Sequence, residues 1–375
     1  MNIWMYYRDF AVPGRIDSGG ITKAVTGLAS ALTGRSARVS VLCEASGSID
    51  TDTAAGYRLV AFPQRPRMPQ RISPGLRTFL SNEPPPDLAV VNGIFSAGVA
   101  QVARVLKRRA IPYVHAPHDP YSHAIFARNR HIKIPYWWLF ERPLLTGARA
   151  VQVLDAKQEQ WLRVRHLDVP AITVPNGVFP EEVPEQQPWR SDPDRPVRLL
   201  FLGRLDAFNK GIDLLIDAAE QYGDRIVLTI QGPDVGDGKE LAAQAKARNV
   251  AAEFLPPDYS TEPSQLIARH DLLCLPSRFD GFGLTALEAM VAGRVLLVSD
   301  EAGIATHVGA SGCGVVVAPT VASIRSGLDQ LIERRNDWPR MGAAGRDYVL
   351  ANLAWDQIAQ RALEDYRKLV GAPTN

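Results

Sequence analysis

Short, nearly continuous apolar runs alternate with stretches of helical periodicity along most of the chain. In the first half the runs are NIWMYY, ARVSVLCE, YRLVAF, DLAVVNG, IPYVHAP and AVQVLD; in the second they are VRLLFLG, RIVLTIQG, AAEFL, DLLCLP, RVLLVSD and GVVVAP. Runs of this kind fit strands buried on both faces, whereas ITKAVTGLASAL and GIDLLIDAAEQY between them carry apolar residues three and four apart. The alternation predicts parallel sheets covered on both sides by helices. Twelve such strands in 375 residues are many for one open sheet and long for one core, so an α/β protein of two doubly wound, Rossmann-like domains is expected. The proline-rich, charged segment Glu181 to Pro196, EEVPEQQPWRSDPDRP, marks the seam, placing the domains at 1–180 and 190–354. In WDQIAQRALEDYRKLV the residues Ile358, Leu363, Tyr366 and Leu369 recur at helical spacing, which predicts a closing helix over 355–375.

Composition changes this picture little. An apolar share of 46% and a charged share of 22% are ordinary for a globular protein. No run approaches the length of a membrane-spanning helix, and MNIWMYYRDF lacks the basic start and apolar core of a signal peptide. Cys43, Cys274 and Cys313 are far apart in strand-like surroundings. They read as buried thiols of a reducing compartment, hence a cytoplasmic protein.

Charge changes it more. The net charge of +2 conceals +10 over residues 1–180 and −8 over the remainder. Residues 101–149 alone hold nine basic and two acidic side chains, among them Lys107-Arg108-Arg109 and HIKIPYWWLFER. This stretch reads either as a solvated helix face over an aromatic core or as a surface for anionic lipid or an acidic acceptor. No nucleic-acid-binding motif accompanies it.

Doubly wound sheets bind ligands beyond the carboxyl ends of their strands, so the strand-to-loop junctions carry the candidate chemistry. Asp17-Ser18-Gly19-Gly20 precedes a helix, where paired glycines let backbone N–H groups approach an anion or simply make a turn. The absence of G-x-G-x-x-G after the first strand argues against a dinucleotide-dependent oxidoreductase. FLGRLDAFNKGIDLLIDA places Gly203, Arg204 and Lys210 at the entry to an amphipathic helix, where a diphosphate could take a forked pair of hydrogen bonds and a point charge. In PSRFDGFGLTALEAMVAG the loop Asp280-Gly281-Phe282-Gly283 precedes a helix beginning at Leu284, with Glu288 one turn inside. Carboxylates suit sugar hydroxyls better than phosphates, so Asp280 and Glu288 around a glycine-rich anion loop suit a nucleotide sugar.

These blocks, with VPNGV at 174–178, resemble the retaining family 4 glycosyltransferases of the GT-B fold, here with an Asp280-x7-Glu288 form of their Glu-x7-Glu motif. The resemblance covers nearly the whole chain. It implies two Rossmann-like domains facing a cleft, the N-terminal one for the acceptor and the C-terminal one for the nucleotide sugar, with the final helix crossing back to the first. It implies that Arg204 and Lys210 neutralise the leaving diphosphate and that Asp280 contacts the donor sugar. Glu288 would hold the ribose hydroxyls, and Gly283 and Leu284 would offer backbone N–H groups. Gly19, Gly20, Gly203, Gly281, Phe282 and Thr285 complete the expected donor site. His118 in PHDPYS, rather than His115, falls where similar enzymes carry a histidine that reaches the donor sugar. Three positions depart from the family: Asp280 is shorter than the usual glutamate, Asp119 replaces a glycine, and Arg294 replaces a frequent proline.

The expected activity is transfer, with retention and without a metal or other cofactor, of a hexose-type sugar from a UDP- or GDP-linked donor to an acceptor hydroxyl. A surface polysaccharide or lipid-linked glycan is the leading acceptor, made by an enzyme whose basic N-terminal domain rests on the anionic inner face of a membrane. The alternatives are a soluble transferase of the same fold acting on a small sugar or metabolite, and a catalytically dead binding module. No nucleic-acid partner is expected.

Overall fold

The computed structural model describes residues 1–12, 19–64, 71–189 and 195–371. Asp17 and Ser18 of the first glycine turn lie outside them, as do positions 190–194 of the proline-rich seam. The chain divides into two compact units, Met1–Phe179 with Ala354–Asn375, and Pro180–Leu353.

Among the described residues the first unit is built on eight strands, β1 (Asn2–Tyr6), β2 (Arg38–Ala45), β3 (Ile49–Asp52), β4 (Arg58–Pro63), β5 (Leu88–Asn92), β6 (Tyr113–Ala116), β7 (Ala150–Val153) and β8 (Ala171–Thr173). Their order across the sheet is β3-β4-β2-β1-β5-β6-β7-β8, parallel except for the edge pair β3–β4. Alternate residues of β1 serve two cores. Ile3 and Met5 join Val41, Leu28 and Leu32 on one face, while Trp4 and Tyr6 join Leu42, Leu76 and Leu106 on the other. Burial on both faces is why β1 reads as a continuous apolar run.

The closing helix Trp355–Gly371 completes the first of these cores. Trp355, Ile358, Ala359, Ala362, Leu363 and Tyr366 are buried on one face. The Trp355 ring lies so close over Gly27, in the helix Gly20–Gly34, that any Cβ there would collide with it. Tyr366 donates its hydroxyl to Gln152 Oε1 at 2.6 Å, and Arg35 forks onto the Asp356 carboxylate at 2.8 and 2.7 Å.

The second unit carries six parallel strands, β9 (Val197–Leu202), β10 (Ile226–Gln231), β11 (Ala252–Leu255), β12 (Leu272–Leu275), β13 (Val295–Ser299) and β14 (Gly314–Val317), ordered β11-β10-β9-β12-β13-β14. Leu199, Phe201, Leu228, Ile230, Leu272 and Leu297 share a core with Ile212, Leu215 and Ile216 of the helix Ile212–Ala219. All twelve strands expected from the apolar runs are present; β3 and β8 are the additional ones. Cys43, Cys274 and Cys313 are free and buried, and burial pushes the Cys274 thiol up to about 12.

Candidate active site

Strand order in the second unit reverses direction between β9 and β12. The segments leaving the carboxyl ends of these neighbours flank the switch point where doubly wound sheets bind ligands. They are Gly203–Gly211 after β9 and Pro276–Gly283 after β12.

The first segment is braced by Asp206, which caps the short helix Ala207–Lys210 by accepting from the Asn209 amide N–H at 3.1 Å. Asn209 Nδ2 adds a second donation to Asp206 Oδ2 at 2.6 Å. Gly211 then adopts the left-handed conformation, φ 66°, and starts the helix Ile212–Ala219. A Cβ at Gly211 would strike the carbonyl of Pro276, so glycine lets the two segments touch. The Phe279 amide donates to Asn209 O at 3.2 Å, and Arg278 forks onto Asp213 at 2.8 and 2.6 Å.

This lacing brings Lys210 onto Asp280: Nζ to Oδ2 is 2.5 Å, with both side chains mostly buried. Two side chains read as serving different parts of a ligand are thus each other's counterion. Arg204 is exposed on the turn after β9. Asp280 Oδ1 also accepts from the Phe282 amide at 3.3 Å.

Gly283 caps the helix Leu284–Val291 with φ 94°. Its missing side chain leaves room for Leu275 and Ile304, the nearer of which a Cβ would meet at 2.7 Å. Glu288 lies one turn inside that helix and is half-buried, as are Leu284 and Thr285. Gly281 is buried. The Phe282 ring is also buried, 5.9 Å from the His307 ring, so its side chain is occupied in packing. Arg294 is buried too, donating to Ala268 O and stacking 4.5 Å from the Trp189 ring centroid. Its role at that departure from the family pattern is structural.

The first unit has its own switch point, between β1 and β5. Asn92 ends β5 and His118 follows β6 by two residues. His118 holds a left-handed backbone, φ 64°, and its Nε2 lies 2.8 Å from Asn92 Oδ1. Asn92 Nδ2 donates to the Tyr6 and Val90 carbonyls at 3.1 and 3.4 Å, which fixes the amide with its oxygen toward the ring. His118 Nε2 therefore carries the proton, and Nδ1 is left as an acceptor. Burial lowers the His118 pKa to about 4, so the ring stays neutral at ordinary pH.

His118 and Asn92 line a small crevice with Ala24, Val25 and Asn176. Gly19 and Gly20 stand one turn earlier, at the start of the helix that carries Ala24. His115, the other candidate, is fully buried on β6, with Nδ1 donating to Val91 O at 3.2 Å and Nε2 lying 2.9 Å from the Tyr121 hydroxyl. Sequence reasoning missed Asn92, whose only sign is a polar residue closing an apolar strand. It also missed the Arg278–Asp213 fork, which joins positions far apart in the chain.

The family model described as family 4 glycosyltransferase in conflict systems matches residues 14–368. Among curated proteins, the alpha-maltose-1-phosphate synthase of Mycobacterium tuberculosis is 25% identical over 257 residues, 62% of this chain and 66% of that protein, just under two thirds of its length. The D-inositol 3-phosphate glycosyltransferase of Frankia alni is 27% identical over 292 residues, 71% of each chain. Among solved structures, sucrose-phosphate synthase from Thermosynechococcus elongatus superposes with a TM-score of 0.80 at 20% identity, covering 99% of this chain and 100% of that one. Anabaena HepE in complex with UDP and glucose gives 0.74 at 18% identity, covering 98% and 100%. The α/β architecture is thus the GT-B fold, and the chain belongs to the family 4 glycosyltransferases, in the branch described from conflict systems.

Proposed function

We propose that this chain moves a hexose-type sugar from a UDP- or GDP-linked donor to an acceptor hydroxyl, with retention at the anomeric carbon and without a bound metal. The observation that carries the reading is the Lys210–Asp280 pair at the switch point of the second unit. A diphosphate entering there competes with Asp280 for Lys210 and meets Arg204 on the same loop. Asp280, released from Lys210, accepts hydrogen bonds from sugar hydroxyls. The backbone N–H groups of Gly283 and Leu284 face the same anion, and Glu288 takes the ribose hydroxyls. Neutral His118, with Nδ1 as acceptor, is suited to accept a hydrogen bond from a sugar hydroxyl.

In the reaction the bond from the anomeric carbon to the diphosphate oxygen breaks. The acceptor oxygen bonds on the face the diphosphate leaves, and its proton passes to the departing phosphate. The cations and N–H dipoles stabilise the charge that grows on the leaving group, the largest catalytic contribution available to such a site.

Two acceptor classes fit. A glycan or lipid-linked acceptor agrees with the basic N-terminal unit. A small phosphorylated sugar or polyol agrees with the names of the similar proteins, which act on or make maltose 1-phosphate, inositol 3-phosphate and sucrose phosphate.

The test is thermal stability against UDP, GDP, ADP and their sugars, in EDTA and then with magnesium. A ligand at 100 times its dissociation constant adds about 2.7 kcal/mol. One nucleotide raising Tm in EDTA, with the shift lost in Glu288→Ala, supports the reading and names the donor. No shift with any nucleotide, together with no donor hydrolysis, favours a binding module instead.

A further inference from the structure

The segment Arg130–Thr146 packs one face inward, burying Trp137, Glu141, Leu144 and Leu145. On an ordinary surface helix the opposite stripe is polar. Here it is apolar: Ile132, Trp138 and Leu139 are 59%, 61% and 66% exposed, with Pro135 exposed between them. Large apolar side chains gathered on a surface mark a contact site, whereas scattered ones do not.

Beside this ridge runs a groove of about 550 Å³ whose lining includes Arg130, Arg142, Arg165, His166 and Trp138 and, among the described residues, contains no carboxylate. None of the three arginines is ion-paired among the described residues. Arg142 and Arg165 are held in place by backbone carbonyls, Arg142 on Arg165 O and His166 O, Arg165 on Tyr121 O and Ser122 O. The Arg142 guanidinium stands 5.2 Å from the Trp138 ring centroid and that of Arg165 stands 4.2 Å from Phe126. Each keeps further N–H groups for a ligand. An apolar, tryptophan-bearing ridge bordered by fixed, unpaired guanidinium groups complements a surface with anionic phosphates above hydrocarbon.

We propose that this face docks the chain on an anionic lipid bilayer, with lipid phosphates entering the arginine groove and Ile132, Trp138 and Leu139 seated at the boundary between headgroups and acyl chains. The site shares no residue with the candidate donor site and stands whether or not the transferase reading holds.

The experiment is flotation of the full chain with vesicles of phosphatidylcholine alone and of phosphatidylcholine mixed with phosphatidylglycerol. The mixed vesicles capture the chain and the neutral ones do not, and added salt weakens capture. Trp138→Ser with Leu139→Ser abolishes capture without lowering Tm, since both side chains are exposed. Arg130→Gln lowers the partition coefficient by about fivefold, as expected for one basic side chain at an anionic surface. Equal capture by both vesicle types, or unchanged capture by these variants, overturns the proposal. Two other results also overturn it. One is saturable binding of soluble glycerol phosphate without vesicle capture, which makes the groove a site for a free phosphate ester. The other is lipid-free self-association abolished by the double variant, which makes the ridge an interface between copies.

Discussion

Lys210 and Asp280, seventy positions apart in the chain, meet at 2.5 Å because Gly211 lets one loop touch the Pro276 carbonyl that opens the other. On the proposed reading, a cation for the donor diphosphate is held here by an acid for the donor sugar, so donor binding would break one ion pair to make two better contacts. Lys210→Ala is expected to lower transfer by two orders of magnitude or more, since roughly 2.7–4 kcal/mol is lost with one group that stabilises a growing charge. Asp280→Asn is expected to separate the two roles. It frees Lys210, so the nucleoside diphosphate alone binds about tenfold tighter, a charge-assisted bond being worth ~1.5–3 kcal/mol, while sugar transfer falls. Titration calorimetry with the diphosphate, set beside turnover, reads both effects. Weaker diphosphate binding by Asp280→Asn would remove Lys210 from the phosphate site.

His118 gives a prediction about pH. Its pKa is depressed from 6.5 to about 4 by burial, so the native state binds fewer protons than the unfolded chain between those values. The stability this protects is present above pH 6.5 and is lost as pH falls toward 4. Turnover therefore shows no inflection near pH 6.5 from this residue. Asn92→Ala removes the bond that orients the ring and costs about 1 kcal/mol of stability, and kcat falls while nucleotide affinity is kept. An inflection near pH 6.5 that disappears in His118→Gln would show the ring titrating as an exposed histidine does.

Much of this architecture is legible in the sequence for one physical reason. Strands buried on both faces must be apolar throughout, so β1, β9, β12 and β13 announce themselves. β3, IDTD, and β8, AIT, do not: each is a short edge strand paired on one side only, and β3 is largely exposed. The glycine loop of the candidate site is readable because glycines before a helix, followed by an acid one turn in, are a local pattern. Pairings made by the fold across long separations leave no local trace. That is why Lys210–Asp280, Arg278–Asp213 and His118–Asn92 come only with the structure. The basic, aromatic stretch at 131–142 is visible as composition, but which side chains turn outward depends on where Glu141 is buried.

Gly27 shows how one absent methyl holds the closing helix. The Trp355 ring occupies the space a Cβ would need, and the backbone there is helical, so alanine brings no conformational penalty of its own. Gly27→Ala is expected to destabilise the first unit by roughly 1–3 kcal/mol through overpacking, despite alanine's better helix propensity. Gly34→Ala, in the same helix with open space around it, serves as the control and leaves stability unchanged or slightly raised. Urea unfolding of both variants, followed by Trp355 proteolytic protection, reads the difference. Equal stability of the two would mean that the ring finds another position at no cost.

Glu141 carries the last prediction. It is fully buried, with Oε1 at 2.8 Å from the Tyr121 hydroxyl and 3.2 Å from the Phe95 amide, while Oε2 has no partner among the described residues. Tyr121 in turn reaches His115 Nε2 at 2.9 Å. Since His115 Nδ1 donates to Val91 O, a neutral His115 needs Tyr121 to donate to Nε2, and Tyr121 then needs a donor from Glu141. One proton on Glu141 satisfies the whole chain. Burial pushes Glu141 up to about 7 and His115 down to about 3, which agrees with the proton resting on the carboxyl. A raised carboxylate pKa means that the native state binds more protons than the unfolded one between 4.5 and 7. The associated stability is full below 4.5 and is lost as pH rises through 7. Glu141→Gln keeps an uncharged group at every pH, so its stability relative to the natural chain should rise by up to about 3 kcal/mol from pH 5 to pH 8. Taking the difference between the two proteins cancels the opposite trend from His118. Urea unfolding of both at the two pH values decides it: a difference that does not change with pH would mean that Glu141 is already ionised at pH 5 and that the proton lies elsewhere in the chain.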